Sequence, residues 1–171
     1  MTQHLLSLEF EEEEEPLLLD ITNLLYDLEL AHDLGVLLTN KDYADYQFSR
    51  FFWYRNGRPV AKKHRLRAAR IAKQSPLILQ VVIPTLGAIW VLLQIIEKVH
   101  NWPLSRKKLE LEVDKLTRER EQYREQLKDQ YGEQLRALMD ERDAAAISES
   151  LTKRLSENPA KLARLEVKRI D

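Results

Sequence analysis

The chain has 171 residues, with no cysteine, four glycines and six prolines; 27 basic residues nearly balance 28 acidic ones, for a net charge of −1. That length suits one domain with an appendage. Zero cysteine excludes disulfides, thiolate zinc sites and cysteine nucleophiles, and so little glycine argues against a glycine-lined phosphate cradle.

Read by position, the charge is a cancellation. Residues 1–45 hold twelve acids and one base, residues 46–96 hold nine bases and no acid, and residues 97–171 are nearly balanced. Such asymmetry bears on association. It fits acidic and basic blocks facing each other within one fold, pairing of those blocks between copies, or a basic block that meets phosphate.

No secretory signal opens the chain, because Met1 to Phe10 lacks a basic region and runs into Glu11–Glu15. A cytoplasmic or membrane-associated location is expected, not a secreted one. From His4 to Glu12, Leu6, Leu8 and Phe10 alternate with Ser7, Glu9 and Glu11, the period of a half-buried strand. Pro16 then opens a helix over 17–39. Leu17, Ile21, Leu24, Leu25, Leu28, Ala31, Leu34 and Leu38 form its apolar stripe, with Asp20, Asn23, Asp27 and Asp33 opposite.

Residues 43–54 hold seven of the thirteen aromatics and read as a strand, followed by the turn dipeptide Asn56-Gly57. Another strand is expected over 64–72, with Leu66, Ala68 and Arg70 on one face and Arg67, Ala69 and Ile71 on the other. Residues 77–83 have the character of a buried strand, and Pro84 starts a helix that is apolar nearly all round.

Residues 77–96 are also twenty consecutive residues with only Gln80, Thr85 and Gln94 clearly polar, long enough to cross a bilayer. A buried strand, a turn and a buried helix explain the local chemistry better, since residues 77–83 are rich in branched side chains and Pro84 stands where a helix would begin. A helix apolar on every side still needs covering. Leu86, Ile89, Trp90, Leu93 and Ile96 are therefore expected to contact other copies of the chain or lipid.

After Trp102-Pro103, a long charged helix is expected over 105–147. Leu109, Val113, Leu116, Tyr123 and Leu127 form a coiled-coil seam of about three heptads before the spacing slips. Residues 148–171 read as a weaker helical tail.

Sites of chemistry are sparse. His4, His32, His64 and His100 are scattered without metal-ligand spacing, and Ser49, Ser75 and Ser105 lack the frame of a nucleophile elbow. No cofactor, metal or catalytic residue is expected, and the chain is not read as an enzyme. Arg50, Arg55, Arg58, Lys62, Lys63, Arg65 and Arg67 interleave with aromatics and are candidates to contact phosphate or an acidic partner.

The stretch FSRFFWYRNGRP (residues 48–59), then Ser75-Pro76-Leu77 opening an apolar run, then Trp102-Pro103-Leu104 before a charged helix, resembles small uncharacterised bacterial proteins. The resemblance covers roughly residues 1–120. It implies a compact αβ head, a hydrophobic segment and a coiled-coil tail, and no activity.

The expected fold is α+β: a small, mostly antiparallel sheet with a covering helix in the order β-α-β-β-β, then a hydrophobic helix and a long C-terminal helix or coiled coil. The expected divisions are a head at 1–83, the hydrophobic helix at 84–102, the charged helix at 103–147 and the tail at 148–171. Leu24, Leu28, Phe52 and Val82 are placed in the core. The leading functional reading is a non-enzymatic, self-associating interaction or scaffold module, a homo-oligomer whose C-terminal helix pairs with itself or a partner protein. The alternatives are a single-span membrane adaptor with 77–96 in the bilayer, and, less favoured, an RNA-binding module built on an aromatic and arginine sheet face.

Overall fold

The computed structural model describes residues 3–11, 17–72, 77–100, 122, 125–126, 128–130, 132–133, 137–140 and 142–170. Its regular elements are strand β1 (Gln3–Phe10), helix α1 (Leu18–Thr39), strands β2 (Arg67–Ala72) and β3 (Ile78–Ile83), helix α2 (Leu86–His100), helix α3 (Ala145–Glu157) and strand β4 (Leu162–Ile170). The fold is α+β, as expected. The four strands form one antiparallel sheet in the order β2-β3-β1-β4, so the first and last strands of the chain are neighbours.

Strict alternation gives the sheet two different faces. His4, Leu6, Leu8 and Phe10 of β1 are buried, as are Leu79, Val81 and Ile83 of β3; the residues between them are half-buried. Helices α1, α2 and α3 cover the buried face and share one core with it. Val82, expected in this core, instead pairs opposite Leu5 on the other, open face, and Val81 takes the buried position.

Helix α2 is the centre of the molecule. Ile89, Trp90, Leu93 and Ile96 are all buried within the single chain, and Leu86 is half-buried. The covering expected from other copies or from lipid is supplied by α1, α3 and the sheet. The apolar stretch 77–96 is divided between β3, a turn and α2. Among the described residues, no helix is long and apolar enough to cross a membrane.

The contact between α1 and α2 depends on small residues. A Cβ on Gly35 would lie 2.5 Å from the Ala88 Cα, a backbone atom of the facing helix. Gly87 is pressed in the same way against Thr39, whose hydroxyl donates to the Gly35 carbonyl at 2.7 Å.

Three expectations of secondary structure are corrected. Residues 43–54 form no strand: they lie in irregular backbone with short 3-10 turns at Lys41–Tyr43 and Arg50–Trp53. The tail is not wholly helical, because after α3 the chain turns at Asn158-Pro159 and enters the sheet as β4. The long helix does not run unbroken to residue 147: a turn at Arg142 and Asp143, with Asp143 at φ 54°, precedes α3. The expected seam residues Leu109, Val113, Leu116, Tyr123 and Leu127 lie outside the described residues.

Candidate functional site

Between α1 and β2 the chain makes a long excursion, residues 40–66, that contains most of the residues singled out for binding. Side chains start its turns. Asn40 accepts from the Asp42 N–H at 2.9 Å, and Ser49 accepts from the Phe51 N–H at 3.3 Å. Gly57 at φ 66° lies in a bend over residues 55–57, and with no strand on either side Asn56-Gly57 closes no hairpin. Phe52 and Val60 are fully buried and anchor the excursion to the core. Tyr46, Phe48, Phe52 and Trp53 pack edge to face or tilted, with centroids 5.1–5.8 Å apart.

Two arginines fasten this backbone. Arg58 donates from Nε and Nη2 to Asp33 Oδ2 at 2.8 and 2.6 Å, and from Nη1 to the carbonyls of Phe52 and Tyr54. Arg142 donates to the carbonyls of Leu37 (2.6 Å), Tyr43 (3.0 Å) and Tyr46 (2.6 Å), and its guanidinium lies 5.2 Å from the Phe48 ring centre. Burial draws the Arg142 pKa down, while Asp45 and Tyr46 act the other way. The Tyr43 hydroxyl lies 2.8 Å from His64 Nδ1 and accepts from the Ala61 N–H; the Tyr26 hydroxyl donates to the Trp53 carbonyl at 2.6 Å. Burial also raises the phenols of Tyr26 and Tyr46 above the usual tyrosine value.

Two of the three acidic positions expected on the solvated side of α1, Asp27 and Asp33, are interior. Asp33 is fully buried and held by Arg58, with His32 Nδ1 3.4 Å from its other oxygen. Asp27 is 2 % exposed and lies 2.8 Å from Arg154 Nη2 of α3. Desolvation raises the Asp27 pKa, partly opposed by Arg154. Arg154 also lies over the Trp53 ring at 5.2 Å. Sequence reasoning missed Arg142 and Arg154, because each sits in an evenly mixed stretch of charge with no local signal to distinguish it.

The seven basic candidates divide into two groups. Arg58 faces inward and is consumed by Asp33, and Arg65 is half-buried with its Nε donating to the Val60 carbonyl at 2.9 Å. Arg50, Arg55, Lys62, Lys63 and Arg67 are exposed, and Arg70 of β2 joins them. The only acid paired with this group in the described residues is Asp42, a loose 3.9 Å from Lys63, with both side chains well exposed. Beside these bases stand two exposed aromatics, Phe51 and Tyr54, in edge-to-face contact at 5.4 Å. Arg50 lies over Phe51 and Arg55 over Tyr26.

This arrangement is a charged surface on a firmly held loop. Among the described residues, no group of three or more His, Asp or Glu side chains is placed to hold a metal ion. A small apolar cavity of about 30 Å³ opens among Leu8, Leu28, Ile96, Leu155 and Leu162. Comparisons with protein-family models, curated proteins and solved structures gave no significant match.

Proposed function

We propose that the chain is a non-enzymatic protein-interaction module whose exposed basic surface, residues 50–70, docks against an acidic surface of a partner protein. The observation that carries this reading is the separation within the basic block. Arg58 satisfies the buried Asp33, while Arg50, Arg55, Lys62, Lys63, Arg67 and Arg70 remain exposed on a stretch without a single acid. Opposite potentials steer encounter and set partner choice. Phe51 and Tyr54 add apolar contact of the kind favoured at interfaces.

RNA is the weaker reading. The sheet face expected to stack bases has no aromatic residue at its described open-face positions; Leu5, Ser7, Gln80 and Val82 occupy its centre. Five of the seven aromatics of 43–54 are buried or half-buried, and Arg50 already occupies a face of Phe51. A bilayer-spanning adaptor loses its motive once 77–96 is divided between a strand and a covered helix.

Self-association is kept as a second reading, favoured by the charge blocks themselves. Among the described residues, Asp33–Arg58 and the loose Asp42–Lys63 are ion pairs between the blocks, while Arg50, Arg55, Lys62, Arg67 and Arg70 stand exposed. In this reading the acidic partner is a second copy, engaged through residues 1–45; helix pairing through 109–127 would add a further contact.

Binding of a fluorescent oligoglutamate peptide and of single-stranded RNA, each at low and raised salt, tests the proposal. The peptide is expected to bind in a salt-sensitive way and to lose about tenfold or more in affinity with Arg50→Glu, Arg55→Glu, Lys62→Glu, Lys63→Glu, Arg67→Glu and Arg70→Glu combined. Tighter binding of RNA, or peptide binding indifferent to that variant, overturns it. Mass in solution across a dilution series separates self-association from binding of another protein.

A further inference from the structure

Arg67 and Arg70 lie three residues apart on β2, and regular alternation would send them to opposite faces of the sheet. The register prevents this. Arg67 pairs opposite Val82 and Arg70 opposite Gln80, with an irregularity between Ala68 and Arg70 that absorbs one residue. Val82 and Gln80 are two apart and share the open face, so both arginines stand on that face.

β2 is an end strand. Among the described residues it pairs with β3 alone, and Arg67 to Ile71 are all exposed. Ile71 pairs opposite the buried Leu79 and so belongs to the helix-covered side, yet it is 51 % exposed. The helical layer stops short of it. The edge therefore offers unpaired backbone, two cations on one face and an uncovered isoleucine on the other.

A bare edge is a template for another strand, and natural sheets guard such edges with charge. Here the guard selects by sign. A second β2 would set arginines against arginines, and the opposite edge, β4, presents Lys168 already paired with Glu166 at 3.1 Å, which offers the arginines no free row of acids. An acidic strand meets no such repulsion.

We infer that the β2 edge receives an extended acidic segment of a partner protein, added as a fifth strand. Two carboxylates spaced two residues apart lie over Arg67 and Arg70, and the apolar residue between them falls on the side of Ala68 and Ile71. The bulge makes this spacing possible, because an unbulged partner strand places alternate side chains on one face, as Val82 and Gln80 are placed. Main-chain hydrogen bonds supply affinity and the alternating side chains supply choice. This inference rests on the acidic-partner reading and adds the mode of binding and the form of the ligand.

The test uses the full chain, a short peptide alternating Glu and Val, and a control of equal charge with prolines replacing the central valines. The alternating peptide is expected to bind about tenfold or more tightly than the control, and to slow hydrogen exchange at β2 amides. Arg67→Ser with Arg70→Ser is expected to remove that preference while leaving the melting transition in place. Equal binding of both peptides overturns strand addition and leaves a purely electrostatic surface. Binding unchanged in the Arg67/Arg70 variant but lost with Arg50→Glu, Arg55→Glu, Lys62→Glu and Lys63→Glu combined moves the contact to the loop: the acidic-partner reading then stands and the edge inference falls. No binding of either peptide removes both. Should the double variant fail to fold, exchange at the β2 amides of the unmodified chain still decides the question: slowing supports strand addition, and unchanged exchange overturns it.

Discussion

Arg58 holds Asp33 by two nitrogens on one carboxylate oxygen, at 2.8 and 2.6 Å, across a pair whose side chains are 5 % and 1 % exposed. The same guanidinium closes on two backbone carbonyls of the loop. Removing one member leaves a buried charge without its partner, a loss of about 3–5 kcal/mol. Arg58→Met is therefore expected to lower the unfolding free energy by that amount. Arg58→Lys should recover little of it, because an ammonium cannot reproduce the planar fork that reaches both carboxylate and carbonyls. Urea denaturation of the two variants checks this; full recovery by lysine would mean that charge alone matters.

A comparable test applies where the two central helices touch. A Cβ on Gly35 would meet the Ala88 backbone, which cannot turn aside as a side chain can. Gly35→Ala is expected to cost about 1–3 kcal/mol through overpacking, outweighing the gain in helix propensity. At Gly132, also helical, the nearest atom to an added Cβ is the flexible Lys128 Cγ at 3.4 Å. Gly132→Ala should stabilise by up to about 1 kcal/mol. Opposite signs for the two substitutions in thermal melts are the expected result.

These residues also mark how far the fold could be read from sequence. The strands over 3–10 and 78–83 and the helices over 18–39 and 86–100 follow from apolar period and from Pro16 and Pro84, signals that are local. The aromatics of 43–54 have strand propensity, but Phe52 and the Arg58 and Arg142 bonds hold them in turns, a tertiary override of local preference. β4 escaped notice because its sequence, LARLEVKRI, carries three bases and one acid and finds its partner at the opposite end of the chain. Asp27 and Asp33 look solvated on a helical wheel; only their distant partners, Arg154 and Arg58, make burial tolerable. For the site, the exposed bases were legible as a charge run. The shared face of Arg67 and Arg70 was not, since alternation gives no sign of a bulge.

β4 supplies the third prediction. It pairs with β1 along nearly the whole strand and buries Leu162 and Leu165, while Asn158 donates to the Asp20 carbonyl at 2.9 Å. Each buried leucine contributes about 1.5–3 kcal/mol, a large share of a marginal domain stability. A chain ending before Asn158 also leaves β1 as a bare edge. It is expected to lose its cooperative thermal transition. A dispensable tail would leave the melting curve intact.

His4 gives a pH dependence. Burial, followed by the charge of Arg169, lowers its pKa below the ordinary 6.5. A histidine depressed in the folded state contributes stability that is fully present above the unfolded value and is lost as pH falls through the folded one. The melting temperature is expected to fall as pH drops from 6.5 through the depressed folded value. His4→Gln should show a shallower fall over the same window. Parallel curves for the two proteins would assign the pH effect to other groups.

Asp27 acts in the opposite sense. Desolvation raises its folded pKa above 3.8, although Arg154 pulls it partly back. The neutral acid is the form that folding favours, so its stabilising contribution is complete below 3.8 and disappears as pH rises through the folded value. At neutral pH the buried carboxylate is carried at a cost. Asp27→Asn removes that charge while keeping the shape, and the Arg154 left behind is 40 % exposed and can return to water. Asp27→Asn is therefore expected to raise the melting temperature at neutral pH, and the gain should vanish toward pH 3.8. Loss of stability at neutral pH would instead show that the attraction to Arg154 outweighs the desolvation of the carboxylate.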